Sequence, residues 1–312
     1  MKISLVTLPY NAAGRGKGGA SGPDALVRSG LLAEIQAQGH QVQVAGVQLS
    51  PAEELAYGGW NRHAVVNGYL ADLVANASLK GDFVLGLLSD CNGVLGMLGG
   101  LQRSDHPAWP RRVGLVWIDA HGDYNTPETS PSGMLGGMPV AVAAGKALTR
   151  LRQASKIAVP LQRPDIIMAG LRDLDPPERE QIMQDGLLTY SEADLIALSP
   201  EFRESIGRLI EREDLVYVHV DLDILDPSVA PAAGLPSKGG LTGEQLGRAL
   251  NWLLAQPKVG ALAMVSYRAV DDVDGGTLQQ VKQALLMATA GLSQPTSSLV
   301  DSRENRDRRI GQ

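Results

Sequence analysis

The sequence predicts an α/β domain built on a parallel sheet, with helices covering both faces. Short apolar runs alternate with stretches of helical period along most of the chain. Several of the runs are apolar at every position, as strands buried on both faces must be. No internal repeat and no long linker divides the 312 residues. Residues 1–292 therefore read as one domain and 293–312, which lose periodicity and become polar, as a C-terminal tail.

Taken in order, the expected strands are Ile3–Leu8, Gln41–Val47, Phe83–Leu88, Val113–Ile118, Asp165–Ala169, Leu215–Val220 and Ala261–Val265, all short, apolar and largely β-branched. The expected helices between and after them are Pro23–Gln38, Glu53–Ala77, Val94–Leu101, Pro176–Gln184, Ser191–Leu198, Pro200–Arg212, Thr242–Leu254 and Thr277–Ala290. In open α/β sheets ligands bind beyond the carboxyl ends of the strands, so a site is expected just after the apolar runs.

Composition narrows the function. The chain is 44% hydrophobic, which supports a sizeable core, and its net charge of -6 argues against a nucleic-acid or anionic-membrane partner. A single cysteine, Cys91, excludes an intrachain disulfide. The N-terminal MKISLVTLPY lacks the apolar length of a signal peptide, and no uncharged run reaches the roughly 18 residues of a membrane helix. A cytoplasmic location is expected.

Two stretches carry chemistry. In GLVWIDAHGDYN an apolar run ends in Asp119, His121 and Asp123. In VYVHVDLDILDP, His219, Asp221 and Asp223 alternate with apolar residues. Alternate side chains of an extended segment share a face. Each trio can therefore converge at a strand end, and burying so many carboxylates without cations is prohibitive. Carboxylate with imidazole suits manganese, zinc, iron or nickel. Each cluster alone could instead be a turn, a cap or a satisfied core histidine; the two together favour a metal site.

DAHGDYNTPETSPSG and DLDILDPSVAPAAG resemble the signature motifs of the arginase–agmatinase, or ureohydrolase, superfamily. GKGGASGPDALVRSGLL is similar to that family's first loop and helix, and GLRDLDPPE to its central substrate loop. The resemblance implies a three-layer α/β/α arginase-like fold with a central parallel sheet, assembled as a homo-oligomer (trimer or hexamer). It also implies two divalent ions, manganese by preference, that activate a water for attack on a guanidinium carbon. By the same resemblance Asp119 and Asp221 bridge the ions, His121 and Asp223 complete one, and Asp123 helps to hold the other. The SSLVDSRENRDRRIGQ tail resembles the arm that helps to build arginase trimers.

The departures from the family pattern matter as much. Cys91, in LLSDCNG, stands where the family has a metal-binding His. It is either a thiolate ligand, which would shift preference toward zinc or iron, or a buried small hydrophobe. Gly136 replaces a proton-shuttling His, Leu235 replaces a Thr beside the guanidinium, and ALAMVSYRAVDD offers Val265, Ser266 or Tyr267 where the family has a Glu that grips it. Asn125 and Ser132 match positions that read an α-carboxylate, and Asp175 and Glu178 match those that read an α-amino group, although such carboxylates also suit the first turn of a helix. His219 and Asp123 are the candidate catalytic side chains, His219 either as a substitute proton carrier or as a support for a ligand carboxylate.

The expected function is metal-dependent hydrolysis of a non-peptide C–N bond, in an amidino, hydroxyguanidino or formimino group of a small arginine-like amino acid. Two alternatives stand beside it. One is a single-metal amide deacylase using Asp119, His121 and Asp223, similar to the histone-deacetylase branch. The other is an inactive binding protein.

Overall fold

The computed structural model describes residues 1–106 and 109–292, so the tail from 293 onward, with its expected role in assembly, lies outside the described residues. Eight strands form one sheet: β1 Lys2–Leu8, β2 Gln41–Gly46, β3 Phe83–Leu88, β4 Val113–Ile118, β5 Ile166–Ala169, β6 Leu188–Tyr190, β7 Leu215–Asp221 and β8 Val259–Val265. Their spatial order is β2-β1-β3-β8-β7-β4-β5-β6, and every pairing is parallel. The seven expected strands are all present. The eighth, β6, is three residues long and half exposed at the sheet edge, too short and too polar to stand out as an apolar run.

The helices are α1 Gly22–Arg28, α2 Leu31–Ala37, α3 Pro51–Ala56, α4 Gly59–Leu79, α5 Gly93–Leu101, α6 Pro139–Ala143, α7 Thr149–Ala154, α8 Pro176–Asp185, α9 Glu192–Ala197, α10 Pro200–Arg212, α11 Gly243–Leu254 and α12 Gly276–Ala290. The single helix expected over Pro23–Gln38 is two, because Gly30 takes a left-handed φ of 84° and turns the chain between α1 and α2. The one expected over Glu53–Ala77 is likewise two, with extended residues at Tyr57 and Gly58 between α3 and α4.

Strand residues alternate between two apolar layers. Leu85, Val116, Val218 and Leu262 face the layer that receives Leu31, Ile35, Phe202, Leu209, Leu250 and Leu285 from α2, α10, α11 and α12. Val84, Leu115, Tyr217 and Ala263 face the layer that receives Leu70, Val74, Leu95, Leu98 and Leu151 from α4, α5 and α7. The fold is thus three layers, α/β/α. Helix α5 has no exposed residue, and its glycines allow backbone-close packing: a Cβ at Gly99 would stand 1.9 Å from the Ser155 carbonyl oxygen. This packing fixes the turn just before α5, and that turn carries Cys91.

Candidate metal centre

The carboxyl ends of β3, β4, β7 and β8 lie side by side at the middle of the sheet, and the loops leaving them bring the unusual residues together. Cys91 follows β3; Asp119, His121 and Asp123 follow β4; Asp221 ends β7, and Asp223 sits in the single 3-10 turn after it. The turn is fixed by Asp221 itself, whose Oδ1 accepts the Asp223 N–H at 2.9 Å. The loop after β4 is held in the same way. Asp119 Oδ1 accepts the His121 N–H at 2.7 Å, and Asp223 Oδ1 accepts the Ala120 N–H at 3.2 Å. Asp123 takes a positive φ of 47°, which aspartate tolerates better than most residues, and its carbonyl accepts the Val140 N–H at the start of α6.

Two ligand-type clusters result. One ligand atom each from Cys91, Asp119 and Asp123 lie within 4.8 Å of one another, and the same holds for Asp119, His121 and Asp223. Asp119 belongs to both. Asp221 is tied to the first, since its Oδ2 accepts from Cys91 Sγ at 2.8 Å and from Ser266 Oγ at 2.5 Å. His121 Nδ1 lies 3.1 Å from Asp223 Oδ2 and 3.5 Å from Asp119 Oδ1.

The electrostatics show what such a cluster requires. Burial, with the charges of neighbouring aspartates added, raises the pKa of Asp119 and Asp123 well above the usual carboxylate range. Burial and the Asp223 charge take Asp221 to about 7, against hydrogen bonds from Cys91 and Ser266 that lower it. The Cys91 thiol is pushed up by burial and by the surrounding aspartates. Burial disfavours a charged His121, but its hydrogen bonds to Asp119 and Asp223 outweigh this and lift its pKa to about 12. The protein alone thus holds protons where divalent cations would neutralise the same groups, and the donor set of carboxylates, imidazole and one thiol fits such ions.

A stability consequence follows. Without a cation, ionising Asp221 costs folding free energy that is absent below its unfolded pKa of about 3.9 and grows as pH rises toward about 7, and Asp119 and Asp123, also raised, add to it in the same direction. The ion pairing of His121 acts in the same sense: it stabilises fully below about 6.5 and is lost as pH climbs toward about 12. The rise in melting temperature on adding Mn²⁺ or Zn²⁺ to chelator-treated protein should therefore be larger at pH 8 than at pH 5. A gain that is equal at the two pH values would contradict the assignment.

The clusters floor a cavity of about 540 Å³. Asn125, Ser132, Asp175 and Glu178 also line it, as do the positions of departure Gly136, Leu235 and Ser266. The loop after β5 is drawn in by Ala120, whose carbonyl accepts the N–H groups of Arg172 and Asp173. Asp175 Oδ2 accepts from Asn125 Nδ2 at 3.1 Å, while Glu178, buried, uses one oxygen on the Tyr124 N–H at 2.8 Å. A Cβ on Gly122 would reach within 2.9 Å of the Glu178 carboxylate, so α8 packs this closely only over a glycine. Ser132 Oγ accepts the Met134 N–H at 3.2 Å.

His219 is placed differently from the expectation of a proton carrier. It does not line the cavity. Its ring is fully buried, stacked on Trp117 with centroids 4.3 Å apart, and its Nδ1 is 2.7 Å from the Tyr217 hydroxyl. Burial lowers its pKa to about 3, so it is a neutral core residue behind the site. The strand period aims it correctly at the Asp221 side of the sheet, but two residues short of the strand end that side is filled by Trp117. Asp173, which the sequence reading passed over, lines the cavity with one oxygen 3.8 Å from His121 Nε2. Its place in the same short loop as Asp175 was the available signal.

The chain matches the family model described as Arginase family over residues 1–290. It is similar to an arginase of Bacillus caldovelox, 33% identical over 249 residues, covering 77% of this chain and 82% of that protein. It is also similar to a hepatic arginase of Aquarana catesbeiana, 33% identical over 254 residues, covering 77% of this chain and 76% of that one. Among solved structures, arginase from Bacillus subtilis superposes with a TM-score of 0.80 at 26% identity, covering 94% of this chain and 99% of that one.

Proposed function

Because the chain belongs to the arginase family, we propose that it is a metal-dependent hydrolase of a non-peptide C–N bond in an arginine-like amino acid, with an amidino, hydroxyguanidino or formimino group as the reacting end. The observation that carries this reading is the pairing, in one cavity, of two ligand clusters, buried but for His121, with Asn125, Ser132, Asp175 and Glu178. Two divalent ions would be held by these groups, one by His121 and Asp223 and the other by Cys91 and Asp123, with Asp119, common to both clusters, and Asp221 beside them. Bound there, the ions supply the positive charge that lets a water ionise near neutral pH.

The chain's own groups do the rest. Asp175, oriented by Asn125, and Glu178, anchored on Tyr124, set two negative charges where an ammonium group can dock. Asn125 and Ser132 offer an amide and a hydroxyl for a carboxylate beside it. Asp123, which lines the cavity, would take a proton from the attacking water. As the water oxygen joins the amidine carbon and the C–N bond breaks, that proton passes to the departing nitrogen. Ser266, whose hydroxyl is committed to Asp221, cannot grip a guanidinium as a carboxylate would, and Gly136 offers no proton carrier. An unmodified guanidinium is therefore a poor fit. A screen of guanidino, hydroxyguanidino and formimino amino acids for release of urea, hydroxyurea, ammonia or formamide should find turnover outside arginine. Strong release of urea from arginine would overturn this account of the reacting end.

A further inference from the structure

Just beyond β8 Ser266 takes a left-handed φ of 70°, and the chain then bridges antiparallel to the segment at Ala233. The Arg268 N–H donates to the Ala232 carbonyl at 2.9 Å, the Gly234 N–H donates to the Ser266 carbonyl at 2.8 Å, and Ala233 bridges to Tyr267. Ser266 and Arg268 both line the cavity, whereas Tyr267 is buried and donates its hydroxyl to Asp272 at 2.8 Å.

Arg268 is the one arginine or lysine among the described residues lining a cavity otherwise rich in carboxylates. Its Nε donates to Asp271, in an ion pair whose two side chains are both partly exposed. Its two Nη groups have no hydrogen-bond or ion-pair partner among the described residues. The guanidinium rests against the first loop, where a Cβ on Gly18 would stand 3.5 Å from Nη1. The sheet order places this group on a definite side. Arg268 and the first loop leave β8 and β1, on one side of β7, while Asn125, Asp175 and Glu178 leave β4 and β5, on the other. A planar fork with both Nη groups free matches a carboxylate. On the same side, the positions that could hold a cation carry Leu235 and Ser266.

We infer that Arg268 forms an anion subsite that sets specificity: the substrate is a linear amidine bearing a carboxylate on the side opposite its α-amino group, an N-carboxyalkyl amidine. The inference rests on the linear-amidine reading above and names its substrate class. Two probes separate the claims by calorimetry on metal-loaded protein, Nω-carboxymethyl-L-arginine and the neutral Nω-propyl-L-arginine. The unmodified protein should bind the carboxymethyl compound at least about tenfold more tightly, the scale of one lost charged hydrogen bond. Arg268→Met should abolish that preference and leave the propyl compound within about twofold, and Arg268→Lys should restore part of it. Equal binding of the two probes by the unmodified protein would overturn the subsite alone. So would an equal loss of both in Arg268→Met, which would mark a structural role. Binding of neither probe would overturn the subsite together with the linear-amidine reading.

Discussion

Neutralising Asp175 and Glu178 together, as Asp175→Asn with Glu178→Gln, is expected to weaken substrate binding by at least about a hundredfold while metal content stays unchanged. Each charge-assisted hydrogen bond contributes about 1.5–3 kcal/mol, and about 1.4 kcal/mol is a factor of ten, so two such losses exceed a hundredfold. The amides preserve the local structure. An asparagine oxygen can still accept from Asn125 Nδ2, and a glutamine oxygen can still accept the Tyr124 N–H, the two contacts that hold these side chains now. Neither residue belongs to the ligand clusters. Kd or KM for the substrate found by the screen, read beside metal analysis of the same samples, checks the split. Loss of metal with unchanged affinity would mean that the two carboxylates support the loop after β4 and do not read an amino group.

Sequence spacing carried the fold and the floor of the site because both rest on local periodicity. A strand apolar on both faces announces itself, and acids at two-residue spacing beyond its end mark the place where the site lies, although the turns that draw them together are not extended. Asp119, His121 and Asp223 come together there, and Asp221 is tied to them through Cys91, because each loop is closed by hydrogen bonds to its own aspartates. What spacing could not supply is where a face stops being solvent and becomes core. His219 lies on the Asp221 side of β7, yet Trp117 from the neighbouring strand covers it, and that neighbour is set by the order of strands in the sheet. Arg268 was hidden for the converse reason. It lies after the last core strand, in a stretch whose course depends on a left-handed Ser266 and an antiparallel bridge to Ala233, more than thirty residues earlier in the chain. The break between α3 and α4 was missed because helical period continues on both sides of two extended residues.

Cys91→Ser is the second substitution with a large expected effect. Cys91 Sγ lies 2.8 Å from Asp221 and 3.7 Å from Asp119, at the centre of the first cluster. As a thiolate ligand it would favour zinc or iron over manganese. Its removal should lower the occupancy of one ion and reduce turnover by about a hundredfold or more. Loss of a group that only supports a ligand already costs about 10–100-fold. Cys91→His should restore occupancy and shift preference toward manganese without creating strong arginase activity, since Gly136 and Ser266 leave the guanidinium ungripped. Competition between Zn²⁺ and Mn²⁺ for the two variants reads this directly.

The central claim is a two-ion centre completed by Cys91, and metal analysis of the unmodified protein beside Cys91→Ser tests it most directly. The account predicts two divalent ions per chain in the unmodified protein and one in the variant. One ion in both would contradict it and favour a single-metal deacylase built on Asp119, His121 and Asp223; none in either would leave an arginase-like binding protein.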